Sequence, residues 1–352
     1  MVSTEVMRFL HTADLHLSKG EDKRLEVFAW LLKKADELKV DYFVVVGDLF
    51  DSDSDATLLR PEVRKMCESV KSEFLFLPGN HDTRSFGPEY EYGNNVIQLT
   101  SRPFQLLERE GLRICGVPYG DNKFSDSAKD MPHDIDVLIT HGTLYDRSFI
   151  FSLLEDQETK YMPIFPADLE NVARYVAMGH LHTSSIELQY DRTHVVYPGS
   201  PIAIDTKCVG ARHFYLFDID ANELEIIKHE VEIAPYWVTK EFFVYPGGEQ
   251  AILDGIQEYL RSLEDVRIMP NIMMTGYIGE REKEYLKLLS GIQQGHAGRF
   301  PDLRINAEIQ SWDKLMTNPL IQNFVVRTEG LGDELRLKIF EITFPIFNKA
   351  LK

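Results

Sequence analysis

The amino-acid sequence predicts an α/β fold with two packed β-sheets, followed by a smaller α+β unit. In the first part of the chain, short apolar runs such as residues 42–46 alternate with amphipathic segments such as residues 21–39. This alternation is typical of right-handed βαβ units and a parallel sheet. Between residues 186 and 219, three strand-sized segments follow one another with turns between them, which favours a second sheet.

The elements of the first unit follow from apolar periodicity. Strands are expected where β-branched and aromatic residues form short continuous runs, and helices where apolar residues recur every three or four positions. In chain order we expect a strand at 7–10, a helix at 21–39, a strand at 42–46, a helix at 56–70, and strands at 74–77, 112–117, 137–140, 175–178, 186–190, 194–197 and 214–219.

The composition shifts near residue 233, where we place a domain boundary. Beyond it we expect a strand at 241–244, a helix at 250–263, a strand at 271–276, a helix at 281–289, a strand at 303–309 and an apolar helix or helix pair at 334–351. The predicted domains are therefore residues 1–232, a small α+β domain at 233–317 and a C-terminal helical segment at 318–352.

The charge and the cysteines exclude several classes of protein. The net charge is −18, from 38 basic and 56 acidic residues among 352. An acidic chain repels a phosphate backbone, which argues against a purely electrostatic DNA binder, although bound metal ions could supply positive charge locally. The three cysteines are far apart, which argues against a disulfide framework. With no signal peptide and no membrane-length apolar run, we expect a cytoplasmic protein.

Metal-binding residue types stand directly after five of the predicted strands. Because the carboxyl ends of parallel strands meet at one edge of a sheet, we expect these side chains to converge. Each motif alone is more typical of a turn or of a core histidine, but the joint pattern predicts a metal site. The residues are Asp14 and His16, Asp48, Asn80 with His81 and Asp82, His141, and His180 with His182.

The ligand types indicate the chemistry of this site. Carboxylate, amide and imidazole ligands without thiolate favour manganese, iron or zinc, and magnesium also fits. A carboxylate such as Asp48 can bridge two ions. Two ions about 3.5–4 Å apart clamp a phosphate and activate water. The sequence therefore predicts two divalent metal ions in a phosphoester hydrolase.

These motifs resemble a known family. Asp14-x-His16, Gly47-Asp48, Gly79-Asn80-His81-Asp82, His141-Gly142 and Gly179-His180-x-His182 resemble the five motifs of calcineurin-like metallophosphoesterases. Within that superfamily, residues 9–16, 47–50 and 197–201 are similar to the DNA double-strand-break repair nucleases of the SbcD and meiotic recombination 11 family. The resemblance covers about residues 7 to 220. It implies a four-layer α/β/β/α sandwich with a small capping domain.

The resemblance also implies roles for the site residues. Asp14, His16 and His182 would hold one metal ion, Asn80, His141 and His180 would hold the second, and Asp48 would bridge them. The ions would be manganese. His81 would face the phosphate and protonate the leaving oxygen as a general acid, and Asp82 would orient the His81 imidazole.

Substrate and partners are further implications of the resemblance. DNA would be the substrate, cleaved as an exonuclease and structure-selective endonuclease. The protein would form a homodimer through the helix at 56–70. Residues 318–352 would bind an SMC-like ATPase of the SbcC type. One departure is Asp51, which stands where archaeal and eukaryotic relatives carry a histidine and bacterial SbcD-like chains resemble this one.

Two other functions use the same residues. A phosphodiesterase or phosphatase for a small nucleotide or a phosphoprotein would share the metal site but lack a DNA groove, and a repair-complex scaffold would keep only the fold.

Phe86, Tyr90 and Tyr92 could stack on bases, but we favour packing against the core. Candidate phosphate contacts, each more typical of a solvated face, are Arg60, Arg64, Lys65, Arg192, His194, Lys207, Arg212 and His213.

Overall fold

The computed structural model describes residues 5–120, 123–146, 148, 162–279 and 282–350. The chain divides between Pro235 and Tyr236 into two compact units. This division lies close to the expected composition boundary at residue 233. The three-part assignment to residues 1–232, 233–317 and 318–352 stays a prediction.

The first unit contains a six-stranded sheet that carries the first three ligand motifs. Its central strands are parallel, and two antiparallel strands extend one edge. Its strands are β1 (Met7–Thr12), β2 (Tyr42–Val46), β3 (Glu73–Leu77), β4 (Val96–Gln98), β13 (His213–Ile219) and β14 (Leu224–Glu230). Their order across the sheet is β14-β13-β1-β2-β3-β4.

A second six-stranded sheet carries the remaining ligand motifs. Its four inner strands are parallel, and each edge strand is antiparallel to its neighbour. Its strands are β5 (Gln105–Arg109), β6 (Leu112–Val117), β7 (Ile135–His141), β10 (Ala173–Gly179), β11 (Ile186–Tyr190) and β12 (Thr193–Tyr197). Their order across the sheet is β11-β12-β10-β7-β6-β5. Between β7 and β10, the short strands β8 (Thr143–Leu144) and β9 (Pro163–Ile164) pair with each other.

The two sheets pack face to face and helices cover their outer faces. Fully buried side chains from both sheets, including Phe9, Val44 and Val137, form the core between them. Outside the first sheet lie α1 (Asp22–Glu37) and α2 (Asp53–Glu68), and outside the second lie the short helices α3 (Phe124–Ala128) and α4 (Pro166–Leu169). The α/β/β/α sandwich predicted from the sequence is confirmed.

Five strands of this unit were not predicted: the short pair β8 and β9, and three strands of the six-stranded sheets. β4 has three half-buried residues, and β5 and β14 alternate between half-buried and exposed positions. All three lie at sheet edges, where only one neighbour is paired and one face meets solvent, so their apolar signal is weak. Helix α2 begins three residues earlier than expected because the Ser52 hydroxyl accepts a hydrogen bond from the backbone N–H of Asp55.

The second unit is built on a three-stranded parallel sheet in the order β15-β16-β17. Its elements are β15 (Tyr236–Val244), α5 (Glu249–Ser262), β16 (Ile268–Ile278), α6 (Glu282–His296), β17 (Arg304–Ser311), α7 (Trp312–Leu315), α8 (Pro319–Thr328) and α9 (Asp333–Ala350). Helices α5 and α6 bury their apolar faces on this sheet. Helices α8 and α9, both within the C-terminal segment expected to be helical, form a separate aromatic cluster with Tyr245 and Tyr277. Among the described helices, none has the length and apolar content that crossing a membrane requires.

A buried histidine links the two sheets of the first unit. His11 on β1 is fully buried, with Nδ1 2.9 Å from the hydroxyl of Tyr175 on β10 and Nε2 3.2 Å from the carbonyl of Met178. A carbonyl can only accept, so Nε2 carries the proton and the Tyr175 hydroxyl donates to Nδ1. Burial lowers the pKa of His11 to about 3, although the hydrogen bond to Met178 opposes this shift.

This buried imidazole makes stability depend on pH. An unfolded histidine titrates near pH 6.5, so between about pH 6.5 and pH 3 the unfolded chain binds a proton that native His11 does not. The folded state is therefore destabilised as the pH falls through this window, by up to about 1.4 kcal/mol per pH unit. We expect His11→Gln to reduce this slope. Urea unfolding in EDTA between pH 7 and pH 4.5 measures it, with the exposed His133→Gln as control. Equal slopes for His11→Gln and the wild type would contradict this role.

Candidate metal centre

The carboxyl ends of five parallel strands bring all seven predicted metal ligands together. The first sheet contributes the loops after β1, β2 and β3, and the second sheet contributes the end of β7 and the loop after β10. The first set is Asp14, His16, Asp48 and Asn80, and the second is His141, His180 and His182. The expected convergence is therefore found at one edge of the sandwich.

One group of ligand atoms lies around His16. Asp14, His16, Asp48 and His182 each offer one ligand atom, and these four atoms lie within 4.8 Å of one another. The Nε2 atoms of His16 and His182 are 3.0 Å apart. Burial, and then the neighbouring His16, hold the pKa of His182 well below its usual range, so its imidazole is neutral and has a lone pair available for a metal ion.

A second group lies around Asn80. Its Oδ1 atom is 3.0 Å from Nε2 of His141 and 3.0 Å from Nδ1 of His180. The other ring nitrogen of His141 donates to the carbonyl of Val46 at 3.0 Å, which fixes Nε2 as the atom that faces the site. Ligand atoms of His141, His180 and Asp48 lie within 4.8 Å of one another.

Asp48 belongs to both groups. It is fully buried, and its Oδ2 atom has no hydrogen-bond partner among the described residues. That atom lies 3.7 Å from Nε2 of His16 and 3.5 Å from Nε2 of His141. Burial opposes ionisation of Asp48, but the charges of His141 and His16 outweigh it and hold the pKa of Asp48 below its usual range. A buried, ionised oxygen between two imidazoles is the position expected of a bridging ligand.

The carboxylates of Asp48 and Asp14 also set the pKa of His141. Burial alone would lower the pKa of this imidazole, but the charges of Asp48 and Asp14 raise it to about 9. Without metal ions, a proton on His141 therefore balances part of the acidic charge of the site. Divalent cations would replace that proton, because metal binding requires a neutral imidazole.

The backbone at the site is unusual. Asp14, His16, Asp48 and His180 have positive φ angles of 53°, 46°, 47° and 108°. Such conformations are uncommon for residues other than glycine and cost free energy, so they persist only where the surroundings enforce them. Two glycines allow the close approach: a Cβ atom at Gly47 would overlap the His141 ring, and one at Gly79 would overlap the Asp48 carboxylate.

Gly47→Ala tests this packing. Gly47 has a φ of 78°, so alanine would be strained there and would also collide with the His141 imidazole. We expect a loss of at least about 2 kcal/mol in the free energy of unfolding, together with weaker Mn²⁺ binding. The matched control is Gly210→Ala, since Gly210 has a φ of 83° but no atom within 4 Å of an added Cβ. Urea unfolding and Mn²⁺ titration should separate the two variants, and equal losses would contradict the overlap.

His81 lies beside the ligand cluster and is exposed. Its backbone N–H donates to Oδ1 of Asp48 at 2.9 Å. Its ring Nδ1 is 3.0 Å from the backbone carbonyl of Asp51, so Nδ1 carries the proton and Nε2 is left for another partner. The ring centroid is 4.8 Å from that of His16.

The expected role of Asp82 is corrected by its contacts. Its carboxylate is fully buried and accepts hydrogen bonds from the backbone N–H groups of Gly79 at 2.9 Å and Phe50 at 3.1 Å. It ties the loop after β3 to the loop after β2 and does not hold the His81 imidazole. Burial, and then the charge of Asp48, raise the pKa of Asp82 to about 7.

Arg212 is also corrected, because a 1% exposed side chain is closed to a phosphate. Its guanidinium donates to the carbonyls of Ser200, His182 and Thr183 at 2.8, 2.7 and 2.6 Å and so holds the metal-ligand loop.

Phe86 and Tyr92 are buried and stacked in the core, in agreement with the packing interpretation. Arg64 pairs with Glu68 and Glu91, and Arg60 lies over the Tyr90 ring at 4.1 Å. Lys65, Arg192 and Lys207 are exposed.

The donor set fits two divalent cations. It combines carboxylate and amide oxygens with imidazole nitrogens, and none of the seven ligands is a thiolate. The Oδ2 atom of Asp48, which has no hydrogen-bond partner among the described residues, and the facing nitrogens of His16 and His182 are groups that a shared cation would satisfy. The sequence did not predict which residues support the ligands by contacting them or their backbone. These residues are Arg24, Asp51 and Arg212.

Comparisons with known proteins agree with this geometry. The profile of the calcineurin-like phosphoesterase family matches residues 7–184. SbcD, a component of the nuclease SbcCD of Escherichia coli K12, is 25% identical over 274 residues, which cover 63% of this chain and 68% of that protein. The DNA double-strand break repair protein Mre11 of Methanopyrus kandleri is 28% identical over 232 residues, which cover 55% of this chain and 49% of that protein.

Among solved structures, a dimetal phosphatase from Danio rerio matches with a TM-score of 0.44 and 8% identity, over 64% of this chain and 96% of that one.

Proposed function

The chain belongs to the calcineurin-like phosphoesterase family, and from this premise we propose that it is a metal-dependent nuclease that hydrolyses phosphodiester bonds in DNA. Hydrolysis of phosphoester bonds follows from membership of this family. The proposal of DNA as substrate is supported by the similarity to the SbcD and Mre11 nucleases.

The observation that carries the proposal is the pair of ligand groups that share Asp48. We assign Asp14, His16 and His182 to one ion and Asn80, His141 and His180 to the other, with Asp48 between them. When bound, two divalent cations supply the charge that polarises the phosphoester and makes water a nucleophile at neutral pH. Manganese is the ion proposed, because the resemblance to the SbcD and meiotic recombination 11 family implies it and the oxygen and imidazole donors fit it.

His81 provides the proton for the leaving oxygen in this proposal. The imidazole is exposed beside the ligand cluster, and its Nδ1–H is already bound by the carbonyl of Asp51. An imidazole donates a proton only when both of its ring nitrogens are protonated, so in the acid form of His81 the proton transferred is the one on Nε2. The contact between the His81 backbone N–H and Asp48 keeps this residue next to the bridging carboxylate.

The proposed partners follow from the resemblance to the SbcD and meiotic recombination 11 family. It implies a homodimer through α2, on which Leu58 is 56% exposed. Residues 318–352 expose Leu320, Val326, Leu335, Ile342 and Ile346, which supports an SMC-like ATPase as the partner of α8 and α9. Static light scattering of the purified chain and co-purification with such an ATPase test these two assignments.

A second candidate is a phosphoesterase for a small nucleotide, favoured by the net charge of −18. The purified protein with Mn²⁺ should be offered labelled duplex DNA, single-stranded DNA and a cyclic nucleotide. We expect cleavage of DNA that EDTA abolishes. Cleavage of the cyclic nucleotide alone would replace the proposal with the second candidate.

A further inference from the structure

Asp51, the residue after the Gly47-Asp48-Leu49-Phe50 motif, contacts the site through two different groups. Its side-chain Oδ1 lies 3.0 Å from Nδ1 of His16, and its backbone carbonyl lies 3.0 Å from Nδ1 of His81. One residue thus holds a proposed metal ligand and the proposed general acid. Neither the ligand assignment nor the acid assignment accounts for it.

The side-chain contact determines which nitrogen of His16 faces the metals. An ionised carboxylate can only accept a hydrogen bond, so Nδ1 of His16 carries the proton. The lone pair of a neutral His16 is then on Nε2, the atom that faces His182 at 3.0 Å and Asp48 at 3.7 Å. A carboxylate behind a metal-bound imidazole fixes the tautomer and raises the basicity of the ligand.

Arg24 supports this arrangement. Its Nη1 atom donates to the backbone carbonyl of His16 at 2.5 Å and lies 3.5 Å from Oδ1 of Asp51. The guanidinium therefore fixes the His16 backbone and attracts the Asp51 carboxylate at the same time. The Asp51 side chain is 46% exposed, so without these contacts it would be free to turn into solvent.

The backbone contact does the same for His81. A carbonyl also only accepts, so His81 keeps a proton on Nδ1 and presents Nε2 to the substrate, and Nε2 carries a second proton only in the acid form. The two imidazoles lie nearly perpendicular, at 84°, with centroids 4.8 Å apart. Their site-facing nitrogens are therefore set by a single residue.

We propose that Asp51 is a positioning residue that fixes the Nδ1–H tautomers of His16 and His81, so that both present Nε2 to the reaction centre. The part concerning catalysis rests on the proposed nuclease function. The tautomers of His16 and His81 and the binding of metal ions can be measured without DNA cleavage, so they can be tested separately.

The test combines histidine ¹⁵N NMR of metal-free protein with Mn²⁺ titration of wild type, Asp51→Ala and Asp51→Asn. In the wild type, we expect His16 and His81 as Nδ1–H tautomers. Asp51→Ala should release the His16 tautomer, leave that of His81 unchanged because the backbone carbonyl remains, and weaken Mn²⁺ binding about 10–100-fold. Asp51→Asn keeps an acceptor oxygen and should lose less than about tenfold. The control Asp36→Ala removes an exposed carboxylate of α1 and should change neither readout.

The outcomes distinguish the two proposals. An Asp51→Ala protein with the wild-type His16 tautomer and Mn²⁺ affinity would overturn the positioning role, whether or not DNA is cleaved. An Nε2–H tautomer for His81 in the wild type would overturn the backbone half of the proposal. A wild type that binds Mn²⁺ and shows both tautomers, yet leaves DNA intact, would refute the nuclease assignment and keep the role of Asp51. If Asp51→Ala does not fold, Asp51→Asn still reports the dependence on charge.

Discussion

Asp48→Asn is expected to lose its tightly bound metal and to slow hydrolysis by roughly 10³-fold, equivalent to about 4 kcal/mol. Asparagine keeps the size of the side chain and one acceptor oxygen for the His81 N–H, so the fold should survive. What disappears is the negative charge between His16 and His141, together with the carboxylate that both ligand groups share. A neutral amide oxygen is a poor bridge between two cations.

Metal content after desalting and the rise in melting temperature on Mn²⁺ addition measure this loss, since a ligand that binds the native state raises stability. We expect fewer than two ions per chain and a smaller rise for Asp48→Asn. The control is Asp218→Asn, which removes a partly buried carboxylate that pairs with Arg8. Two tightly held ions in Asp48→Asn would refute the bridging role.

His81→Gln is expected to keep both ions and to cleave DNA about 10²–10⁴-fold more slowly. The imidazole of His81 contacts the backbone of Asp51 and belongs to neither of the two ligand groups assigned to the ions. Glutamine cannot transfer a proton to the leaving oxygen at neutral pH, so the bond-breaking step loses its acid. Metal analysis and cleavage rates of the same preparation measure both parts of this expectation.

A second substrate separates acid catalysis from simple binding. A nucleotide p-nitrophenyl ester releases a stable anion that needs no proton, so His81→Gln should cleave it at close to the wild-type rate. An equal loss on both substrates would exclude the general-acid role and leave only a phosphate contact. His133→Gln, a change at an exposed histidine, serves as the control and should alter neither rate.

The ligands could be predicted from the sequence because each directly follows a strand with a strong apolar signal. The runs that became β2 and β3 are almost wholly buried, so their ends were evident, and parallel strands place their carboxyl ends at one edge. Residues 137–140 and 175–178 were recognised as strands, although the structure extends them to β7 and β10. The periodicity gave no information on which sheet each strand joins.

The supporting residues could not be found in the same way. Arg212 was a candidate phosphate contact because it flanks the last ligand motifs, and only the fold shows that it is buried against three carbonyls. Asp82 stands next to His81 in the sequence, yet its carboxylate binds the amides of Gly79 and Phe50. Such contacts depend on loop geometry, which sequence spacing does not encode.

The origin of the ligands has a mechanical consequence. The oxygen-bearing ligands come from one sheet, and three of the four imidazoles come from the other. A pair of ions held between them would act as a cross-link between the halves of the sandwich, in addition to the apolar core. Removal of the ions by a chelator should therefore destabilise the ligand-bearing loops before the apolar core. Amide hydrogen exchange should accelerate first in the turns after Thr12, Val46 and Gly179.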